Sequence, residues 1–168
     1  MPLTPDEISE LLSQPLLGHL AILTDGKPHV TPIWVYYDGD LFYFTTRLSR
    51  VKGKAVSKNG RVAISIATNE RPYRAIVVEG EARVVEKDKW ELLRKISTKY
   101  GREEGERWLE YSKKEPDRVA VVVEPSRLLS WHYGRGDYRK QNEGLSMKTK
   151  LGKRDSPLSK FHSASATS

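Results

Sequence analysis

Hydrophobic and polar residues alternate in several segments of the chain, and this two-residue period is typical of strands with one buried face. Asp25-Gly26 and Asp38-Gly39 lie between the first three segments, and both dipeptides favour tight hairpin turns. Gly80 interrupts the fifth segment and predicts a bulge. The pattern predicts six strands, at residues 18–24, 29–37, 41–46, 61–68, 73–85 and 119–123, the last extended past Pro125 by residues 128–131.

A period near 3.6 residues marks the helices. Thr4 to Glu7 has the spacing of a capping box, with Pro5 at the first helical position, and Pro15 ends this helix. A second capping box is predicted from Asp88 to Glu91, before a helix that Gly101 closes. Residues 52–59 and 102–113 predict two further helices. Short antiparallel strands with few helices favour a mainly β protein that forms a closed or nearly closed barrel.

Length and charge separate a globular part from a tail. The 168 residues predict one domain, at residues 1–138. Residues 139–168 read as a flexible basic tail with a net charge of +5, which leaves +2 of the total of +7 for the globular part. The chain has no cysteine, which excludes disulfides and thiol chemistry. We find no signal peptide and no apolar run that could span a membrane, and we expect a cytoplasmic protein.

One segment carries most of the candidate chemistry. The aromatic strand at 41–44 ends in the hydroxyls of Thr45 and Thr46, and clustered cations follow, among them Arg50 and Lys52. Hydroxyls, guanidinium and ammonium groups together are suited to hold a phosphate. The alternative is a hairpin edge kept soluble by charge. His19, His29 and His132 are scattered and predict no metal site.

Five short strings occur in an order that resembles the flavin-binding split-barrel family related to pyridoxamine-phosphate oxidase. The resemblance is strongest to its flavin- or deazaflavin-dependent oxidoreductases and covers about residues 8–135. The matching strings are LAILTDGKP at 20–28 with TPIWV at 31–35, LFYFTT at 41–46, RVK at 50–52 with RV at 61–62, YRAIVVEGEA at 73–82, and VVVEPSRLLSW at 121–131.

The resemblance implies a six-stranded antiparallel Greek-key split barrel that pairs as a homodimer, with its cofactor at the dimer interface. The cofactor would be FMN or coenzyme F420, an 8-hydroxy-5-deazaflavin. Thr45, Thr46, Arg50 and Lys52 would hold its phosphate. The backbone of the second strand would lie along the ring. The remaining implied contacts are Thr31, Pro32, Ile33 and Trp34 on that strand, Tyr73 and Arg74 on the fifth strand, and Trp131 near the end of the barrel.

The implied activity is hydride transfer between the cofactor and a small conjugated organic acceptor. No catalytic residue can be named, because the cofactor carries this chemistry. For Trp34 and Trp131, packing in the core or at the dimer interface is an alternative to ring contact. Two other functions stay open: a flavin- or haem-binding split barrel without turnover, and a nucleic-acid-binding barrel with a basic tail. The second is disfavoured because the positive charge lies mostly in the tail.

Overall fold

A computed structural model of the protein describes residues 1–135, and the predicted tail at 139–168 lies outside this part. The four helices of residues 1–135 are 8 to 11 residues long, and none has the length and apolar character to cross a bilayer. The elements are α1 (Pro5–Ser13), β1 (Gly18–Thr24), β2 (Lys27–Ile33), β3 (Tyr36–Tyr37), β4 (Phe42–Arg47), α2 (Val51–Lys58), β5 (Arg61–Ala67), β6 (Arg74–Val85), α3 (Lys89–Thr98), α4 (Arg102–Ser112) and β7 (Arg118–His132).

All seven strands form one antiparallel sheet in the order β2-β1-β5-β6-β7-β4-β3. The two edge strands, β2 and β3, are separated in the chain by Trp34 and Val35 alone. Because two residues span only a few ångströms, the sheet curls until its edges nearly meet. The prediction of a mainly β split barrel is therefore confirmed.

The barrel has seven described strands rather than the predicted six, because the predicted strand at 29–37 is broken at Trp34 and Val35. Both backbone polar groups of Val35 bond to side chains. Its N–H donates to the Tyr100 hydroxyl at 2.9 Å, and its carbonyl accepts from Lys99 Nζ at 2.8 Å. These bonds replace strand pairing at this position, so the chain can pass from one sheet edge to the other.

The barrel interior is filled by alternate residues of the strands. Phe42 and Phe44 of β4 are completely buried, as is Leu20 of β1. Helix α1 adds three buried side chains to the same core. Its predicted capping box is confirmed, since the Thr4 hydroxyl accepts from the Glu7 amide at 3.3 Å and the Glu7 carboxylate accepts from the Thr4 amide at 2.9 Å.

Strand β7 bridges two parts of the sheet. Its residues 118–123 pair with β4, and its residues 120–132 pair with β6. The predicted bulge at Gly80 is confirmed, because Glu79 pairs with Arg127 while Gly80 pairs with Pro125. A Cβ atom on Gly80 would lie 2.2 Å from the Glu124 carbonyl oxygen, so this close approach requires glycine.

Helices α3 and α4 form a hairpin that packs on β7 through Leu93, Leu109 and Ala120. The capping box predicted at Asp88 is wrong. Asp88 has a left-handed φ of 55°, and its side chain makes no capping hydrogen bond. A capping side chain needs extended backbone at this position, which Thr4 has and Asp88 lacks.

Candidate functional site

A cavity of about 360 Å³ lies where β2, the end of β4, the start of α2 and the start of β7 meet. We call it the α2 pocket. Five of the eleven predicted cofactor-binding residues line it, and these are Thr31, Thr45, Thr46, Arg50 and Lys52. The other residues that line it are His29, Arg47, Val51, Glu115 and Arg118.

Gly53 allows α2 to lie against the end of β4. A Cβ atom at Gly53 would be 2.2 Å from the Arg47 carbonyl oxygen and 2.7 Å from the Leu48 Cα. The turn before the helix is closed by the Arg50 amide, which donates to the Arg47 carbonyl at 3.0 Å. This close contact brings Lys52, in the first turn of α2, to the wall of the pocket.

Two of the arginines in the pocket are neutralised by carboxylates. Arg47 Nε lies 2.9 Å from Asp117 Oδ1, and Arg47 Nη1 lies 3.4 Å from Glu115 Oε1. Glu115 also pairs with Arg118. Hydrogen bonds from Ser49 and then from Arg47 hold the pKa of Asp117 well below its usual range. This network fixes the turn between β4 and α2 and leaves these arginines little free charge.

Lys52 and Arg50 differ from these arginines. Neither side chain forms an ion pair with a carboxylate among residues 1–135. Lys52 is half-buried, and burial, followed by the nearby charge of Arg118, lowers its pKa. A half-buried ammonium beside another cation is unfavourable unless an anion joins it. The α2 pocket therefore has the electrostatics of an anion site.

The hydroxyls of Thr45 and Thr46 both donate to backbone carbonyls, so neither is directly available to a phosphate. The Thr45 hydroxyl donates its single hydrogen to the Val119 carbonyl at 2.9 Å. It would have to rotate away from β7 before it could donate to a ligand. Thr46 is only 2% exposed, and its hydroxyl makes a long contact of 3.4 Å to the Arg47 carbonyl. Thr46 therefore makes the weaker of the two hydroxyl bonds, but little of its surface faces the cavity.

The free edge of β2 offers an unusual set of backbone groups. Pro28 and Pro32 pair with Leu23 and His19 of β1, and these pairs cannot exchange hydrogen bonds in the ladder because proline has no N–H. Residues 28, 30 and 32 therefore direct their polar groups to the free edge. That edge presents three carbonyls and, from Val30, one N–H. It can bond a ring that carries both donors and acceptors along one side.

Side chains near the end of β2 face away from this edge. Ile33 is buried in the core. The Trp34 ring stacks on Tyr100, with centroids 5.1 Å apart, and lies 5.5 Å from the Trp108 ring. The Trp34 side chain thus packs against other aromatic rings, as the alternative to ring contact with the cofactor predicts. Contact of the 31–34 backbone with a cofactor stays a prediction.

The other predicted residues lie at the far end of β7. Arg74 pairs with His132 in the ladder and forms an ion pair with Glu10, while Trp131 pairs with Ala75. Tyr73, next to Arg74, is 42% exposed. From Arg118 in the α2 pocket, β7 runs 14 residues to His132, up to about 46 Å at about 3.3 Å per residue. None of these three predicted residues lines the α2 pocket, and Arg74 lines a separate cavity with Pro72 and His132.

The sequence does not predict three charged or polar residues of the pocket, His29, Glu115 and Arg118, and it places Arg47 in the cation cluster without assigning it to the phosphate. His29 stands two residues before Thr31, so the same side of a strand could have been inferred. Arg47 pairs with Arg118 in the ladder. That register, and with it the role of Glu115, has no local signal in the sequence. Within residues 1–135, no group of three or more acidic or histidine side chains is placed to bind a metal ion.

Residues 4–132 match the family described as "Pyridoxamine 5'-phosphate oxidase". A solved F420 reductase is 29% identical, with a TM-score of 0.58, and the match covers 71% of this chain and 94% of that one. No curated protein matches the chain.

Two further structures share the fold at lower identity. A conserved hypothetical protein from Mycobacterium tuberculosis is 22% identical, with a TM-score of 0.64, and the match covers 80% of this chain and 90% of that one. An FAD-binding protein from Mesorhizobium loti is 18% identical, with a TM-score of 0.55, and the match covers 77% and 95% of the two chains.

Proposed function

Since the chain belongs to the pyridoxamine 5'-phosphate oxidase family, we propose that it is an oxidoreductase that uses FMN or coenzyme F420. The bound cofactor would supply hydride transfer to or from a small conjugated organic acceptor. The protein's own part is to bind the phosphate, orient the ring and exclude water. We assign no catalytic residue.

The observation that carries this proposal is the missing counterion in the α2 pocket. Lys52 is half-buried and lacks a carboxylate partner among the described residues, while Arg47 and Arg118 are neutralised by Glu115 and Asp117. A phosphate of the cofactor fits this need, because its oxygens accept charge-assisted hydrogen bonds from an ammonium and a guanidinium. Lys52 and Arg50 would hold the phosphate, and Thr46 would add a hydroxyl.

The free edge of β2 would orient the ring. It presents the carbonyls of residues 28, 30 and 32 and the Val30 amide. Flavin and deazaflavin rings carry carbonyl oxygens and an imide N–H on one side, so such an edge can accept from the N–H and donate to one oxygen. Because these are backbone groups, their positions depend on how β2 is held and little on its side chains.

Two features support a homodimer. The outward residues of β1, β2 and β5 include Leu23, Val30 and Ala63, and Leu23 and Val30 are 42% and 62% exposed, so the single chain leaves an apolar face open. In addition, Arg74 and Trp131 lie at the far end of β7 from the α2 pocket. If these residues contact the cofactor, they must come from a second copy of the chain.

Between the two cofactors, the surface charge near α2 favours F420, whose oligoglutamate tail needs cations. Lys54 is exposed beside the pocket and forms no ion pair with a carboxylate among residues 1–135. Lys58 is less available, because it pairs with Asp25 at 3.2 Å. The similarity to an F420 reductase at 29% identity supports the same choice.

The test is a visible spectrum of the purified protein, followed by titration with FMN and with F420 and fluorescence as the readout. We expect saturable binding of one of them and, once the bound cofactor has been chemically reduced, its reoxidation by hydride transfer to a conjugated acceptor. Binding without turnover across an acceptor screen would favour a flavin carrier. A folded protein that binds neither compound would refute the proposal and turn attention to haem and single-stranded nucleic acid.

A further inference from the structure

The break between β2 and β3 is held by two consecutive residues of the α3–α4 connection. The Tyr100 hydroxyl accepts from the Val35 amide at 2.9 Å and donates to the Leu16 carbonyl at 2.7 Å. Lys99 Nζ donates to the Val35 carbonyl at 2.8 Å. Val35 is 1% exposed, so water cannot replace these bonds without local opening.

The ring of Tyr100 belongs to a row of aromatic contacts that extends to the α2 pocket. Trp34 stacks on Tyr100, and Trp108 contacts Trp34. The Arg118 guanidinium, which lines the pocket, lies 5.3 Å from the Trp108 ring centroid. At the other end, Lys99 Nζ lies 5.4 Å from the Tyr100 ring centroid. Cations at both ends of an aromatic row are favourable, because each faces the negative face of a ring.

We propose that Lys99 and Tyr100 are positioning residues for the cofactor ring. They fix the backbone at Val35 and the stacked Trp34, and thereby the end of β2 along which the ring lies. This inference rests on the proposed function. Neither residue touches the α2 pocket, so their effect on the cofactor is exerted through β2.

The position of Lys99 fits this role. Its side chain is half-buried, and burial lowers its pKa to about 8. Among residues 1–135 it has no carboxylate partner, and its polar contact is the Val35 carbonyl. A lysine with only a structural task could lie in solvent, as Lys95 does one turn earlier, where it pairs with Glu91. The buried Lys99 ammonium holds the Val35 carbonyl in one position, and this is the role expected of a positioning residue.

The test separates the ring from the phosphate. Tyr100→Phe keeps the aromatic stack but removes the hydroxyl, and Lys99→Met removes the ammonium. Each variant is titrated with FMN and F420 and with their phosphate-free ring compounds, riboflavin and 8-hydroxy-5-deazariboflavin. Lys95→Met, one turn before Lys99 at the end of α3, is the matched control. Hydrogen exchange of the Val35 amide in the cofactor-free protein reports the hydrogen bond from this amide to the Tyr100 hydroxyl.

We expect Tyr100→Phe and Lys99→Met each to raise the Kd of the phosphate-free ring compound and of the complete cofactor by the same factor. The factor is about twofold to tenfold, as expected for the loss of one hydrogen bond. Val35 exchange should accelerate in Tyr100→Phe, and Lys95→Met should change neither quantity. If Val35 exchange accelerates while the affinities stay at the wild-type value, the bonds of Tyr100 and Lys99 to Val35 hold the fold but do not position the cofactor, and the inference is wrong. Unchanged Val35 exchange would also overturn it. If the wild-type protein binds none of the four compounds, the proposed function fails and the inference fails with it.

Discussion

Replacing Lys52 with Met should change ligand affinity and protein stability in opposite directions. The substitution removes the ammonium but keeps a long unbranched side chain, so the first turn of α2 and its contact at Gly53 are preserved. Without a ligand, Lys52 is a half-buried cation whose pKa is lowered by burial and by Arg118. The variant without ligand should therefore be more stable than the wild type below the ordinary lysine pKa.

The loss of affinity follows from the kind of bond that disappears. A hydrogen bond to a charged group contributes about 1.5–3 kcal/mol, which corresponds to about a 10- to 150-fold change in Kd. The affinity loss of Lys52→Met should fall within this range rather than below it, because Lys52 is half-buried and its charge is less screened than that of a surface lysine. Riboflavin lacks the phosphate, so its affinity should not change.

The assay pairs fluorescence titration of FMN, F420 and riboflavin with urea unfolding of the cofactor-free protein. Lys54→Met is the matched control, since Lys54 is exposed on the same helix and does not line the pocket. It should leave FMN affinity and stability close to the wild-type values. Equal FMN affinity of Lys52→Met and wild type would show that the phosphate is not held in the α2 pocket. An equal loss of riboflavin affinity would show that the substitution had disturbed the ring site instead.

Three further outcomes are expected. Gly80→Ala should lower the free energy of unfolding by about 2–4 kcal/mol in urea titrations, because the new Cβ atom would lie 2.2 Å from the Glu124 carbonyl oxygen, and a loss below about 1 kcal/mol would contradict this. Between pH 8 and 10.5 the unfolded chain keeps a proton on Lys99 that the folded chain has lost. The free energy of unfolding of the wild type should therefore rise with pH relative to that of Lys99→Met. A constant difference between pH 7.5 and 9.5 would refute the buried position of the ammonium. Ala63→Arg should give a monomer in sedimentation velocity and abolish cofactor binding, whereas an intact dimer would place the interface on another face.

Local patterns of the sequence predict much of the fold. Alternation in 61–67 and the Asp25-Gly26 turn depend on neighbouring residues, and both are found, the turn with positive φ at both positions. The break at Val35 depends on side chains of residues 99 and 100, more than sixty positions away. No local signal can reveal such a bond, so the sequence pattern predicts a single long strand there.

The same distinction applies to the candidate site. Arg50 and Lys52 could be predicted because they follow directly on a strand that ends in hydroxyls. The sequence could not reveal that Thr45 donates to Val119, since this follows from the register of β4 with β7. The neutralisation of Arg47 by Asp117 is equally non-local. The sequence therefore identified where cations collect, and the fold determines which of them stay available for an anion.

The bridging position of β7 has a consequence for biosynthesis. Among the described strands, β7 alone joins β6 to β4, and Phe42 pairs with Val123, far later in the chain. Until residues 118–132 have been made, β4 and β3 have no partner in the rest of the sheet. At about 5–20 residues per second, residue 132 follows Lys52 by about 4–16 seconds. A ligand of the α2 pocket thus cannot guide the nascent chain and can only stabilise the finished barrel.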